Sequence, residues 1–292
     1  MKIVLCCDVD PVLPPTLRER PESDVWRPLD EIPRLVDRLG SDRPPVTWMI
    51  RADASIRFAT GDYASGFRSR RRLWERLLGR GHELGWHMHL MSAPGGGAFR
   101  FDPEPTWLPE AVSALRAEGE VVATRTGWDY GSAALFRQLE RLGIAIDLSA
   151  LPGQWVRYPV GDSHAEVDWR RAPAAAYRPS AADHQRPGAD SLALIELPVT
   201  AFRNGPLGRA KRLARLLSSG RFPAGLGRKT RLLTEAWPEL PEPAPFWVFH
   251  FHPEDLGGPG VARAAANVEQ LRSLPGAEFV TARAAWEELK AG

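Results

Sequence analysis

Residues 82–90 read HELGWHMHL, a short apolar and aromatic segment of strand length that closes on two histidines, His87 and His89. In extended backbone, residues i and i+2 point to one face, so both imidazoles aim at the same place. The first ten residues, MKIVLCCDVD, repeat the device: an apolar run that ends with Asp8 and Asp10 on one face. A histidine at a strand end often only hydrogen-bonds its own loop. Two on one face, with a carboxylate pair at the end of another strand, read instead as halves of one site.

Working outward, short runs rich in Val, Ile, Phe and Trp recur at 2–9, 46–53, 82–90, 121–126, 144–148, 193–199, 246–252 and 277–281. Amphipathic helical patterns lie between them at 29–39, 67–79, 107–118, 131–142, 261–273 and 283–290. In one of these, Leu135, Leu139 and Leu142 share a stripe opposite Arg137 and Arg141, and Gly143 ends it. Strands interleaved with helices imply a parallel sheet, either doubly wound or closed into a barrel. The positions of the ionisable residues separate the two. Asp8 and Asp10, Asp53, His87 and His89, Arg125, Asp147, Glu196, and His250 and His252 all fall at C-terminal ends of these strands, the rim that carries chemistry in α/β barrels. We expect one barrel domain over residues 1–292. It would carry a long Pro-rich and aromatic loop at 150–190 and a basic, partly helical insertion at 205–236.

Bulk properties exclude several classes. A net charge of +2 gives no whole-chain reason to invoke nucleic acid. The two cysteines, Cys6 and Cys7, are adjacent on a strand and point to opposite faces, so no disulfide framework exists. Cys6 shares the face of Asp8. No apolar stretch approaches a transmembrane span, and Met1-Lys2 leads into only five apolar residues before Asp8, unlike a signal peptide. We therefore expect a cytoplasmic protein.

Asp10, His87 and His89 supply one carboxylate and two imidazoles, the ligands of a borderline divalent ion such as Zn, with Co, Ni, Mn or Fe also compatible. Such an ion polarises a carbonyl oxygen and lowers the pKa of bound water towards ~7. Asp8 would take the proton from that water as base, with Arg125 as its ionic partner. His252 would protonate the leaving amine as acid, oriented by Asp147. On sequence alone the roles of Asp8 and Asp10 are interchangeable. Asp53 and Glu196 are read as rim residues contacting substrate. Trp128, Tyr130, Trp155, Tyr158, Trp169 and Tyr177 are aromatic groups in rim loops, and an aromatic such as Trp128 suits the apolar C–H face of a sugar.

Taken in order, these segments resemble the polysaccharide deacetylase superfamily, carbohydrate esterase family four and its relatives. The resemblance rests on CCDVDP with Asp8 and Asp10, GHELGWHMH with His87 and His89, RTGW with Arg125, LGIAIDLSALPG with Asp147, and FHFHPEDL with His252. It spans about residues 2 to 283 and implies an irregular (β/α) barrel of seven or eight strands and a metal-dependent deacetylase acting on an N-acetyl sugar. Two departures stand out. The superfamily has adjacent aspartates and metal histidines four apart, whereas both pairs here are spaced by two, and Met91 stands where a second histidine would fall. Either His89 replaces that histidine, the reading adopted here, or another group completes the site. A cytoplasmic enzyme would act on a biosynthetic sugar, nucleotide- or lipid-linked. The basic residues Arg209, Lys211, Arg212 and Arg215 raise peripheral membrane contact as a minor expectation. Two alternatives remain at this stage: a C–N hydrolase opening a small ureide or cyclic amide, and a non-catalytic carbohydrate-binding protein with a decayed site.

Overall fold

The structure, a computed structural model, describes residues 1–12, 25–39, 44–93, 98–203, 228–237, 240–241, 244–256 and 259–291. Most of the basic insertion, residues 204–227, including Arg209, Lys211, Arg212 and Arg215, lies outside them.

Eight strands form one parallel sheet: β1 (Lys2–Val9), β2 (Thr47–Arg51), β3 (Glu83–Met88), β4 (Ala123–Thr126), β5 (Ile146–Asp147), β6 (Ile195–Glu196), β7 (Phe246–Phe251) and β8 (Glu278–Val280). Their order is β6-β5-β4-β3-β2-β1-β7, with β8 paired to the first residues of β1. The sheet curls into a half-barrel. Thr200, just past β6, donates its N–H to Val248 O of β7 at 3.0 Å, drawing the two edges together. Around it pack α1 (Ile32–Arg38), α2 (Ala54–Thr60), α3 (Ser65–Ser69), α4 (Arg71–Leu78), α5 (Leu108–Arg116), α6 (Ala133–Arg141), α7 (Gly260–Arg272) and α8 (Ala282–Ala291). Among the described residues, no helix is long and apolar enough to cross a membrane.

Strand parity fixes what faces inward. Along β1, Ile3, Leu5, Cys7 and Val9 join the large core beneath the helices, while Val4 and Cys6 join a smaller cluster with Met49, Ala123, Ile146, Leu148, Leu197 and Val248 that fills the barrel. Asp8 continues the inner row, and Cys6 and Cys7 are free and buried on opposite faces. On β3, Trp86 and Met88 face outward, leaving Gly85 and His87 inside. A Cβ on Gly85 would collide with Met49 Sδ and approach Ala123 O at 3.2 Å, so this layer closes only over glycine. His82 sits at the opposite rim, where its Nδ1 accepts from Val46 N at 3.1 Å and Trp48 Nε1 at 3.3 Å.

Helix ends follow ordinary capping chemistry. Ser132 Oγ accepts from Leu135 N at 3.1 Å to start α6, whose Leu135, Phe136 and Leu139 are buried. Gly143 stops it at φ 72°.

One expectation fails in form. Residues 150–190 are not one irregular loop, because Trp155–Val160 and Ser163–Asp168 pair as an antiparallel hairpin across Gly161-Asp162. Gly161 has φ 57°, the backbone that two-residue hairpin turns require. The hairpin leans on the barrel rim, where Ser163 Oγ accepts from Phe101 N at 2.8 Å.

Candidate active site

At the C-terminal rim, β1, β2 and β3 end side by side in register, Arg51 opposite His87. The chain steps out of β1 at Asp10 and out of β3 at His89. Asp10, His87 and His89 offer ligand atoms that all lie within 4.8 Å of one another. His87 Nε2 and His89 Nε2 are 3.2 Å apart, and Asp10 Oδ1 is 3.7 Å from the first and 3.6 Å from the second. Ligands bonded at about 2.0–2.2 Å to one tetrahedral ion must themselves sit ~3.3–3.6 Å apart, so these separations fit a shared ion.

The surroundings of the three groups fit as well. His87 Nδ1 is 2.8 Å from the carbonyl of Arg125, which orients the ring and turns Nε2 towards Asp10. Burial pushes the His89 imidazole down to about 3, with Arg51 working in the same direction, so it is neutral at pH 7. Burial alone would raise the Asp10 carboxyl, but His87, Arg51 and His89 hold it well below the usual carboxylate range. One carboxylate oxygen and two imidazole nitrogens form the donor set that suits a borderline divalent ion.

This group is braced from below. Arg51 donates from Nη1 to Asp10 Oδ1 at 3.0 Å, from Nε to Asp53 Oδ2 at 2.7 Å and from Nη2 to Ser55 Oγ at 3.0 Å. Asp53 caps α2 by accepting from Ser55 N and Ile56 N, and its Oδ2 also accepts from the backbone N–H of His89 at 2.9 Å. One buried Arg–Asp pair therefore ties the ends of β1, β2 and β3 together.

Beside the trio lies an Asp–His pair. Asp8, 2 % exposed, takes Arg125 Nη1 on Oδ2 at 2.7 Å, and its Oδ1 has no hydrogen-bond partner among the described residues. His252 Nε2 stands 3.8 Å from the same Oδ2, and its Nδ1 donates to Asp255 Oδ2 at 2.9 Å. Burial works against charging His252, yet Asp255 and Asp8 raise its pKa to about 9, so the ring is cationic at neutral pH. One layer deeper, burial and then Arg125 push His250 well below its ordinary value. Arg125 Nη2 pairs with Asp129, and Trp128 sets its ring edge-on to His89, centroids 4.5 Å apart.

Three sequence expectations meet a different arrangement. Asp147 does not contact His252; it accepts from Ser149 N at 2.9 Å and Ser149 Oγ at 3.1 Å, in register with Glu196. The reason is parity. Ile146 and Leu148 take the inward positions on that strand, which turns Asp147 and its neighbour Glu196 to the other face. Glu196 is fully buried and accepts from Ala150 N at 2.9 Å, so it cannot meet substrate. Burial raises the pKa of both carboxyls, and the neighbouring Asp147 charge raises that of Glu196 further. Asp53 is likewise fully buried, with both oxygens consumed by Arg51, Ser55 and His89.

Arg51, Asp129 and Asp255 were missed in the sequence. Arg51 is separated by one residue from Asp53, the same i, i+2 spacing that marked the other pairs. Asp255 follows His252 by three, within reach of a short turn, and Asp129 follows Arg125 by four.

No protein-family model and no curated protein sequence matches the chain. Among solved structures, a Mycobacterium smegmatis protein described as a candidate polysaccharide deacetylase superposes with a TM-score of 0.54 at 17% identity, over 99% of this chain and 90% of that one. A Parabacteroides distasonis protein described as a candidate glycoside hydrolase/deacetylase superposes with a TM-score of 0.56 at 12% identity, over 99% and 71%. At these identities the likeness is one of fold, and the chain has their barrel.

Proposed function

We propose that this protein is a metal-dependent hydrolase that removes an N-acetyl or related acyl group from a carbohydrate, a biosynthetic sugar carried on a nucleotide or lipid. The observation that carries this reading is the meeting at one rim of the Asp10, His87 and His89 trio with the Asp8 and His252 pair. The barrel fold, shared with proteins described as deacetylases, supports it. Asp10, His87 and His89 would hold the ion, which their donor set suits as Zn, Co, Ni, Mn or Fe. When bound, that ion supplies Lewis acidity to the amide carbonyl and acidifies a water.

The remaining chemistry belongs to the chain. Asp8, fixed on Oδ2 by Arg125, accepts the proton of the attacking water. His252, cationic through Asp255 and Asp8, gives its proton to the departing nitrogen as the C–N bond breaks. Acetate and a free amine leave, and the proton held by Asp8 has a path to His252 across 3.8 Å. Trp128, beside His89 at the mouth, offers an aromatic edge to the sugar. The test is acetate release from N-acetyl sugars by the native protein, a chelated sample, and the Asp8→Asn and His252→Ala variants. The reading requires loss in all three; full activity in the chelated sample removes it.

A further inference from the structure

The turn after β4 runs through two consecutive left-handed residues that are not glycine, Trp128 at φ 57° and Asp129 at φ 56°. L-residues adopt this backbone at a cost, and it persists only where its surroundings enforce it. A Cβ on Gly127 would strike the His89 ring, so the turn presses directly on that histidine. Thr126 Oγ1 donates to Tyr130 O at 2.5 Å, and Trp169 Nε1 donates to Asp129 O at 2.7 Å.

What this enforced turn delivers is one carboxylate onto Arg125. The guanidinium holds Asp8 through Nη1 and Asp129 through Nη2, while its Nε has no hydrogen-bond partner among the described residues. Two anchors therefore define the plane of the fork. Among the described residues Asp8 Oδ1 is also unpartnered, and Oδ2 meets His252 only at 3.8 Å, so the Asp8 carboxylate is oriented mainly by its 2.7 Å bond to Arg125, and Arg125 in turn by Asp129. We propose that Asp129 is a positioning residue: it locks the Arg125 guanidinium in the orientation that presents Nη1 to Asp8. It acts through Arg125 and transfers no proton. The strained turn is the device that carries it there. The role in reaction rests on the hydrolase reading of Asp8; the locking of the fork does not.

The experiment compares native protein with Asp129→Asn, which keeps shape and tolerates left-handed backbone, by NMR of ¹⁵N-arginine-labelled samples and by kinetics. Arg125 Nη signals assigned through Arg125→Gln are expected to be separate in the native protein and averaged in Asp129→Asn. Zn²⁺ affinity and KM for an N-acetyl sugar should stay within twofold while kcat falls 10- to 100-fold. On an Arg125→Gln background the same substitution should change kcat less than twofold. Separate Nη signals in Asp129→Asn, or full additivity with Arg125→Gln, overturns the proposal. Should native protein release no acetate, the hydrolase reading falls while the Nη signals still decide whether Asp129 locks the fork. Trp169→Phe removes the N–H that holds the turn, together with part of a buried ring, and covers the case of an unfolded Asp129 variant. It should broaden the Nη signals, and unchanged signals in it count against the proposal.

Discussion

The Nε2 atoms of His87 and His89 face each other across 3.2 Å, with the Asp10 carboxylate 3.6–3.7 Å from both. Two residues at i and i+2 reach one point because β3 ends at Met88, and His89 is held by its backbone N–H on Asp53. The His-x-His spacing thus brings both rings to one point of this rim, held by a brace that the first three strands share.

That brace gives the first prediction. Arg51→Met frees Asp10 and leaves Asp53 without its cation. Residues that orient metal ligands typically contribute 10- to 100-fold in affinity, so Zn²⁺ binding by calorimetry should weaken by about that factor. Asp53→Ala removes the cap of α2 and strands a buried guanidinium, and should cost ~3–5 kcal/mol in urea unfolding. Unchanged Zn²⁺ affinity in Arg51→Met would show that the brace does not orient the ligand.

The His252–Asp255 contact predicts the alkaline limb of the pH profile. The folded pKa of His252 is raised to about 9, so its cation persists to that pH and is lost above it; kcat/KM should fall as pH rises through about 9. Asp255→Asn removes a charge-assisted hydrogen bond worth ~1.5–3 kcal/mol, so the limb should move down by about 1–2 units. A limb that stays in place would assign the acid elsewhere.

The buried Asp147–Glu196 pair acts on stability. Both folded pKa values are raised by burial, so the folded state prefers the protonated form. That stability is complete below the unfolded carboxyl range of about 4 and is lost as pH climbs through the folded values. Glu196→Gln imitates the protonated acid at every pH. Its Tm should exceed that of native protein at pH 8 and match it near pH 5, whereas an equal difference at both would contradict the raised carboxyl pKa.

Gly85→Ala tests the inner layer. The added Cβ meets Met49 Sδ and the Ala123 carbonyl, and overpacking of this kind costs ~1–3 kcal/mol. A urea midpoint equal to that of the native protein would mean that the layer can expand.

The barrel was legible because its strands are short apolar runs closed by ionisable residues; 246–252 against Phe246–Phe251 differs by one residue. The helical pattern at 67–79 became two helices, α3 and α4, broken at Arg70, whose φ of −130° leaves the helical range. The trio and Asp8 were legible from i, i+2 spacing on β1 and β3. Asp147 and Glu196 misled because strands of two residues carry too little pattern to fix parity, and a one-residue shift turns a side chain from the lumen to the other face. The hairpin at 155–168 was hidden by Pro159 and by mixed polar faces, though Gly161-Asp162 marked its turn. Arg51, Asp129 and Asp255 stand two to four residues from Asp53, Arg125 and His252, but the turns that lay each on its partner are not encoded in any strand or helix periodicity.

The central claim is that Asp10, His87 and His89 hold one ion, and titration of metal-stripped protein with Zn²⁺ tests it most directly. The account predicts saturation at about one ion per chain and, in each of Asp10→Ala, His87→Ala and His89→Ala, a loss beyond the ~100-fold expected of merely supporting residues. Absence of saturable binding in the native protein, or unchanged affinity in His89→Ala, would contradict it.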